Sequence, residues 1–376
     1  MNKTFDIAVV GSGAAGIAAA VCAARAGGKV LLLDKNSGLG GTGGLSGLTT
    51  LCGLYDDTGN FLNDGFPREF AEALVENGAP STGPASFQKT GGLTGPVRGA
   101  PIKTGRLWVL PYRPEKFCAV AENFLANQTN LKAVWNAPLK NVVVENARIL
   151  SLNDFSVGAV IDSSGTAAVA HAAGALCLAT DATTQASAVV FALRGVAREI
   201  HTTVDAARVL LPVIRAGFPP LHFHPDLEPG GLTAKFSGSP EQVPPLIEFL
   251  RANVRGFENC SSPQKEFRVS CRAGRMVVGE YVLTGADVLG AKKFPDAAAR
   301  CAWPVEQWGA DGKTKVRFLP PNEFYEIPAR SLRAASIKNL FMAGKSISAD
   351  ADAIASARVM GCCLATGEAA AKLAAK

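Results

Sequence analysis

Tyrosine and tryptophan are scarce in this chain of 376 residues, with four of each, and long apolar runs are missing. No segment is apolar over the length that a membrane span requires, so a membrane protein is not indicated. No basic run carries interleaved aromatic residues, which argues against a nucleic-acid-binding protein. The nine cysteines include no CxxC pair, so we expect them to be reduced residues of a core.

The composition that remains is typical of a soluble α/β enzyme with a large core, because 48% of the residues are hydrophobic and 19% are charged. The net charge of +6 is spread along the chain. It fits a solvated surface or an anionic cofactor or substrate, and it does not require a nucleic acid. The first strand begins by about residue 5 and leaves no room for a targeting segment, so we expect a cytoplasmic protein.

The most specific pattern lies at the start of the chain, where an apolar strand over Ile7–Val10 runs into Gly11, Gly13 and Gly16. An alanine-rich stretch and a second apolar strand follow, and that strand ends at Asp34. This context predicts a dinucleotide-binding βαβ unit. Gly11 then allows the tight turn, Gly13 lets the backbone approach a pyrophosphate, and Gly16 lets the helix pack closely on the strand. A plain βαβ turn with incidental glycines is the alternative.

The helix that follows the glycines supplies the other half of this binding unit. Its first N–H groups, at Ala14 and Ala15, and its dipole favour a phosphate. Asp34 is suited to accept hydrogen bonds from ribose hydroxyls, and Lys35 adjoins it. A second glycine run over residues 38–43 also fits GxGxxG, but it follows Asp34 too closely for another strand. We predict a loop there, whose glycines allow a ligand to approach the backbone.

The remaining chain predicts a discontinuous organisation. The nucleotide-binding domain comprises residues 1–184 and 321–376, and residues 185–320 form a substrate or cap domain in which prolines cluster. Residues 79–113 are predicted to be irregular, a possible additional lid. The predicted elements are helices over residues 66–78, 114–125 and 353–375, and strands over residues 131–135, 142–145, 148–152, 158–161, 175–179 and 337–344, of which 175–179 is expected to be buried.

Four stretches in order along nearly the whole chain carry a family resemblance. They are residues 10–16 with 34 and 40–44, residues 160–165 with 173–175, residues 272–284 with 293–297, and residues 325–332 with 339–349 and 356–360. With these stretches the chain resembles the FAD-dependent oxidoreductases of the glutathione-reductase-like superfamily, on the branch near the fumarate reductase and succinate dehydrogenase flavoproteins. The resemblance implies an α/β fold: a Rossmann-like FAD-binding domain, with a parallel sheet and a β-meander, and a second α+β substrate domain.

The resemblance also implies where FAD lies. Asp34 would hold the adenosine ribose, and a helix N-terminus would face the pyrimidine edge of the flavin, where reduced flavin carries negative charge. The residues implied along the pyrophosphate, the ribityl chain and the flavin are Gly40, Gly41, Thr42, Gly43, Gly44, Gly165, Gly344, Lys345, Ser356 and Arg358. The first histidine of the chain is His171, so covalent flavin attachment through a histidine of the glycine loop is excluded and non-covalent FAD is expected.

Some features depart from the relatives. Thr166 and Ala167 follow Gly165 where Gly-Asp is usual, and Lys345 stands where Arg or Asp is usual. The Gly-Asp-Ala-Ala-His type of element of aromatic hydroxylases is absent, which weighs against ring hydroxylation. Neither the CxxC nor the second nucleotide fold of the disulfide reductases is visible, so a nicotinamide partner would lack a dedicated domain.

Candidates for the chemistry come from three places. His222 and His224 alternate on a predicted strand and would face one side of it, but no third ligand lies nearby, so no metal is expected. Arg272 and Arg275 are spaced to share a helix face, and guanidinium groups suit carboxylate or phosphate. Tyr325 could transfer a proton in the cleft. Each of these residues also has an ordinary interpretation, as a surface, structural or packing residue.

Three functions follow from these observations. The preferred one is hydride transfer between non-covalently bound FAD and a small substrate, with an anionic one favoured. The second is a flavin-dependent monooxygenase or peptide-modifying enzyme reduced by NAD(P)H. The third is a flavin-bearing RNA-modifying or regulatory protein. The sequence leaves the electron acceptor or donor open, and a homo-oligomer is compatible with it.

Overall fold

The computed structural model describes residues 3–78, 102–179, 185–197, 203–224, 230–309 and 313–376. The strands are β1 (Thr4–Val10), β2 (Val30–Leu33), β3 (Thr50–Cys52), β4 (Ile102–Thr104), β5 (Leu107–Pro111), β6 (Leu131–Val134), β7 (Val142–Glu145), β8 (Arg148–Leu152), β9 (Phe155–Asp162), β10 (Cys177–Ala179), β11 (Ala188–Leu193), β12 (Leu221–His224), β13 (Leu232–Phe236), β14 (Val269–Ser270), β15 (Arg275–Val277), β16 (Ala297–Cys301), β17 (Val305–Trp308), β18 (Thr314–Arg317), β19 (Tyr325–Pro328) and β20 (Leu340–Met342). The helices are α1 (Ala14–Arg25), α2 (Gly41–Gly44), α3 (Phe66–Gly78), α4 (Pro114–Ala126), α5 (Ala168–Ala172), α6 (Thr203–Arg215), α7 (Val243–Asn253), α8 (Gly285–Leu289), α9 (Ala351–Ala357) and α10 (Met360–Ala374).

The central sheet has the order β6-β2-β1-β9-β8-β7, and β20 also pairs with β9. The pairs β2–β6, β1–β2, β1–β9 and β9–β20 are parallel. Strand β9 is long enough to pair at its start with β8, antiparallel, and at its end with β20. A parallel sheet and a β-meander therefore share one strand, and the predicted α/β fold class is confirmed.

Helix α1 is almost wholly buried because its residues are small and apolar on every side. The C-terminal helix α10 packs against it at very short range. A Cβ built on Gly367 would lie 2.1 Å from the carbonyl oxygen of Ala15, so only glycine permits this approach. Strand β20 and helix α10 thus return to the first sheet.

Other predictions need correction. The single helix predicted over residues 353–375 is two helices, because the backbone of Val359 is extended (φ −69°, ψ 151°). The second glycine run is not only a loop, since Gly41–Gly44 form one helical turn after Gly40 adopts a left-handed conformation (φ 104°). The predicted irregular segment 79–113 contains β4 and β5, and its residues 79–101 lie outside the described residues. The segment 175–179 is not buried as predicted, because Leu176 is 67% exposed and Leu178, within β10, is 36% exposed.

A second apolar core lies under an antiparallel sheet of order β12-β13-β11-β14. Helices α6 and α7 contribute to it, and its largest buried residues are Phe191, Phe236 and Phe257. The domain boundaries predicted at residues 184 and 321 stay a prediction. Within the described part of the chain, no helix is long and apolar enough to cross a membrane.

Candidate functional site

The carboxyl ends of the parallel strands meet at one edge of the central sheet. There the amide of Gly11 donates to Leu33 (2.8 Å), and that of Ser163 donates to Val10 (3.0 Å). The amide of Ala343 donates to Asp162 (3.1 Å). The turns after β1, β9 and β20 are thus held side by side, in the crevice where open α/β sheets bind ligands.

The glycines of the first turn serve different purposes. Gly11 has φ 103°, and a Cβ on it would lie 2.5 Å from the carbonyl oxygen of Ser163. A Cβ on Gly16 would lie 1.7 Å from the carbonyl oxygen of Gly11. The protein itself therefore requires both glycines. Gly13 differs, because its φ is −72° and a Cβ on it would meet no atom within 4 Å.

The space at Gly13 lies at the N-terminus of α1, which no side chain caps. Uncapped N–H groups and the helix dipole favour an anion at this position, and the missing side chain allows a diphosphate to approach. This open cradle fits a dinucleotide, as the sequence predicts for Gly13, Ala14 and Ala15.

Asp34 is buried and holds the glycine turn. Its carboxylate accepts hydrogen bonds from the amide and the hydroxyl of Ser12, at 2.6 and 2.7 Å. It also accepts from the amide and the side chain of Asn36, at 2.8 and 2.9 Å. Its role toward a ribose stays a prediction, and Lys35 is exposed.

The second glycine run packs against the first. The amide of Gly40 donates to Ser12 (3.0 Å), and a Cβ on Gly41 would lie 3.0 Å from Cα of Gly13. On its other side, a Cβ on Gly43 would lie 2.6 Å from the Phe117 ring. The run is therefore wedged between the cradle and α4. The same close packing applies to Gly44, beside Cys118, whereas Thr42 is exposed.

Lys345 connects the central sheet to the segment between β14 and β15. Its ammonium group donates to the carbonyl oxygens of Cys271 (2.8 Å) and Ala273 (3.2 Å). Its Cε lies 3.7 Å from where a Cβ on Gly165 would stand. Burial lowers the pKa of Lys345 to about 8. The neighbouring Gly344 has φ 64°, which favours glycine.

Ser356 and Tyr325, both predicted to lie in the functional site, face the core. Ser356 lies near the end of α9 and not at a helix start, and its hydroxyl is 2.8 Å from that of Tyr325. Both side chains are fully buried. Burial raises the pKa of Tyr325 well above its usual value. The structure thus places Tyr325 in the core and not in a cleft.

The arginines at residues 268–275 do not share a helix face, because this segment contains the strands β14 and β15. Arg275 is exposed on β15. Arg272 turns inward, where its Nη1 donates to the carbonyl oxygen of Ala186 (2.6 Å) and its guanidinium carbon lies 4.4 Å from the centre of the Trp308 ring.

Three further basic side chains lie around Trp308. The His222 ring meets it edge-on, with centroids 4.9 Å apart, and the Lys235 ammonium lies 5.6 Å from its ring. Arg358 donates to the side chain of Gln185 (3.0 Å), whose backbone bridges to that of Trp308. We call the side chains of His222, Lys235, Arg272, Trp308 and Arg358 the Trp308 cluster. The side chain of His224 lies outside the described residues.

Burial dominates the electrostatics of this cluster. It lowers the pKa of Lys235, Arg358 and His222, and it lowers that of Arg272 to about 10. The carboxylate of Glu306 opposes all four shifts. Sequence reasoning found His222, Arg272 and Arg358 but missed Lys235 and Trp308. The local signal for Lys235 was that it is the single charged residue of strand β13.

A parallel sheet with an open glycine cradle at the start of its first helix defines a dinucleotide-binding protein. The sequence matches the family described as FAD dependent oxidoreductase over residues 6–211 and 221–376, so the chain belongs to that family. Its cofactor is accordingly FAD. The finer assignment to the glutathione-reductase-like superfamily stays a prediction.

Individual relatives are similar to the chain only over a short stretch or at low sequence identity. A stretch of 46 residues is 54% identical to 4-oxocyclohexanecarboxylate 2-dehydrogenase of Sinomonas cyclohexanicum, but this is 12% of the chain and 8% of that enzyme. The fold resembles a geranylgeranyl bacteriochlorophyll reductase-like protein from Thermoplasma acidophilum, with a TM-score of 0.52 and 14% identity over 99% of this chain and 78% of the other. It also resembles GidA of Aquifex aeolicus, with a TM-score of 0.52 and 12% identity over 99% of this chain and 63% of GidA. At these identities the structural likenesses show the fold alone.

Proposed function

We propose that the protein transfers a hydride between non-covalently bound FAD and a small organic substrate held at the Trp308 cluster. The observation that supports this is the position of Lys345. Its backbone continues the turn at Gly344, and its ammonium group binds the carbonyl oxygens on either side of Arg272. The cofactor cradle and the cluster are thereby joined through one side chain.

In this proposal, separate residues bind the cofactor and accept the substrate proton. The N–H groups at the start of α1 bind the diphosphate, and the conformation that Asp34 imposes on Ser12 keeps the turn open for it. Bound FAD supplies the group that gains or gives up the hydride. His222, whose pKa is lowered by burial, is neutral at pH 7, so its imidazole is able to accept a proton from the substrate.

The test is an anaerobic screen of the FAD-loaded protein against alcohols, amines, organic acids and reduced nicotinamides. We expect an alcohol, amine or organic acid to bleach the flavin absorbance band. A protein that purifies colourless, and shows neither a flavin band nor a thermal shift with added FAD, would sink the proposal. Bleaching by NADH or NADPH alone, followed by an oxygenated product in air, would instead support the monooxygenase alternative.

A second comparison assigns the proton acceptor. His222→Gln keeps a polar side chain of similar length but cannot accept a proton at neutral pH. We expect FAD binding to be retained and the rate of flavin bleaching by the active substrate to fall at least tenfold, on the order of general base catalysis. An unchanged bleaching rate would remove His222 from this role and leave the flavin chemistry standing.

A further inference from the structure

We infer that the Trp308 cluster binds an oxoanion, the carboxylate or phosphate group of the substrate, through Lys235, Arg272 and Arg358. This inference rests on the proposed function, because it assigns the substrate class to the same site. It goes further by fixing which part of the substrate is recognised and by which side chains.

The charge of the cluster is unbalanced. Three cationic side chains lie together, and the carboxylate that acts on all of them is that of Glu306. In the part of the chain that the structure describes, none of the three forms an ion pair with a carboxylate within 4 Å. All three are half-buried. Cations withdrawn from water are normally paired, so this arrangement lacks negative charge.

The contacts within the protein compensate these cations unequally. Withdrawing a cation from water is costly unless hydrogen bonds or opposite charge replace the lost hydration. Arg272 has both a cation–π contact with Trp308 and a hydrogen bond to the carbonyl oxygen of Ala186. Among the described residues, Lys235 has the cation–π contact with Trp308 and no hydrogen bond. A bound anion would supply the compensation that Lys235 lacks.

Polar atoms in the cluster are left without partners. Nε of Arg358 and Nε2 of His222 are buried, and neither has a hydrogen-bond partner among the described residues. Within the same part of the chain, the Lys235 ammonium contacts the face of Trp308 and makes no hydrogen bond. An oxoanion offers several lone pairs at once and would satisfy Arg358 and Lys235 together.

The arginines near Arg272 differ from it in exposure. Arg275 and Arg268 lie on the same segment as Arg272, but both are exposed, and Arg268 forms an ion pair with Glu266 (3.4 Å). The inward position of Arg272 is maintained by Lys345, which holds the carbonyl groups on both sides of it. The cluster is therefore a built site and not a general property of a basic surface.

The experiment titrates the FAD-loaded protein with sodium acetate, sodium benzoate or inorganic phosphate, with sodium chloride at matched ionic strength as the reference. Perturbation of the flavin spectrum and thermal stability are measured together. We expect saturable binding of at least one oxoanion beyond the chloride reference. Binding of the carboxylates alone identifies a carboxylate substrate, and binding of phosphate alone identifies a phosphorylated one.

Amino-acid substitutions test which side chains bind the oxoanion. Lys235→Met and Arg272→Gln should weaken oxoanion binding by about tenfold or more, the loss of one charge-assisted hydrogen bond. FAD affinity should change less than about threefold, below the effect of one such bond. Arg268→Gln, on the same segment, should leave oxoanion binding unchanged. Lys235→Arg and Arg272→Lys retain the charge and should restore part of the affinity if the truncations fold poorly.

Two results would overturn the inference. One is FAD-loaded protein on which none of the oxoanions acts differently from chloride; the proposed flavin function would survive that result. The other is equal oxoanion binding by wild type, Lys235→Met and Arg272→Gln. If FAD itself failed to bind, the proposed function would fall, and the thermal shift of the FAD-free protein with each oxoanion would still decide whether the cluster binds them.

Discussion

Asp34 accepts hydrogen bonds from both the amide and the hydroxyl of Ser12, although 22 residues separate them in sequence. The carboxylate at the end of β2 thus fixes the turn at the end of β1. Asp34→Asn replaces one acceptor oxygen with a donor that faces the Ser12 amide or the Asn36 amide. We expect FAD affinity to fall about tenfold to a hundredfold, the cost of a hydrogen bond to a charged group. Fluorescence titration of FAD measures it.

Ser12→Ala is the matched control for this first prediction. It removes the hydroxyl contact but keeps the backbone amide bond to Asp34, so the turn retains its shape. We expect it to lose less FAD affinity than Asp34→Asn. A larger loss for Ser12→Ala would show that the hydroxyl, and not the carboxylate, organises the turn.

Gly13→Ala and Gly16→Ala separate cofactor binding from folding. A methyl group on Gly16 would collide with the carbonyl of Gly11, whereas one on Gly13 meets no protein atom within 4 Å. Gly16→Ala should therefore lower the unfolding free energy by at least 1–3 kcal/mol, about the usual cost of overpacking. Gly13→Ala should unfold like wild type and bind FAD at least about tenfold more weakly. Thermal unfolding and FAD titration of both variants check this, and full FAD affinity in Gly13→Ala would contradict the cradle.

Asn339 joins the β-meander to the parallel strands from a buried position. Its side chain accepts from the amide of Ile149 (2.9 Å) and donates to the carbonyls of Ile149 and Gly158, both at 2.8 Å. Asn339→Asp loses the donors and buries a carboxylate against two carbonyl groups. We expect a loss of roughly 3 kcal/mol in unfolding free energy, the penalty for unsatisfied buried groups. Urea unfolding measures it.

The control for Asn339 is the half-buried Asn63, which makes the same pair of bonds, both solvent-exposed and both at 2.8 Å, to the backbone of Arg300. Water can replace those contacts, so Asn63→Asp should cost about 1 kcal/mol or less. Equal losses at the two positions would mean that burial does not set the cost.

Lys345 should make stability depend on pH. Its pKa is about 8 in the folded chain against 10.5 for an ordinary lysine, so the unfolded chain binds more protons between those values. The unfolding free energy contributed by this residue therefore rises with pH in that window. The unfolding free energy of wild type minus that of Lys345→Met should rise by roughly 2 kcal/mol from about pH 7 to pH 10. The exposed Lys315→Met should give a flat difference, and a flat difference for Lys345→Met would contradict the lowered pKa.

Cys271 is the exposed member of the nine free cysteines, which corrects the expectation that all of them lie in a core. Burial raises the pKa of Cys22, Cys52 and Cys363 to about 12, so these thiols are protonated at neutral pH. We expect Cys271 to give the fastest phase in a native-state thiol titration, and Cys271→Ser to abolish that phase. Cys363→Ser should leave the fast phase intact. A fast phase that survives in Cys271→Ser would assign it to another thiol.

Local features of the fold were predictable from sequence because their signals are local. The proline near the start of α3 and its spacing of apolar residues define the helix over 66–78, and the strand before Gly11 is a continuous apolar run. The break at Val359 was not predictable, because small and apolar residues continue on both sides of it. The β7–β8 turn lies at Asn146 and Ala147, which both have positive φ.

One part of the candidate site was predictable from the sequence, and the other part was not. The cradle at Gly13 follows from one contiguous motif, and the edge of the sheet follows from parallel pairing. The Trp308 cluster brings together residues from five places between 222 and 358. Each contact there depends on how separate strands pack, so sequence reasoning found Arg272 from its charge and could not find its partner Trp308.

The contact between Gly367 and Ala15 also determines the order in which the protein can be completed. The glycine turn leaves the ribosome long before β20 and α10, which cover the helix that follows it. Until residues 340–374 emerge, the alanine-rich face of α1 is without its cover and the strand beside β9 is missing. The cofactor cradle therefore cannot be completed before residues 340–374 are synthesised, and loss of helix α10 would damage a nucleotide site whose motif is more than 340 residues away.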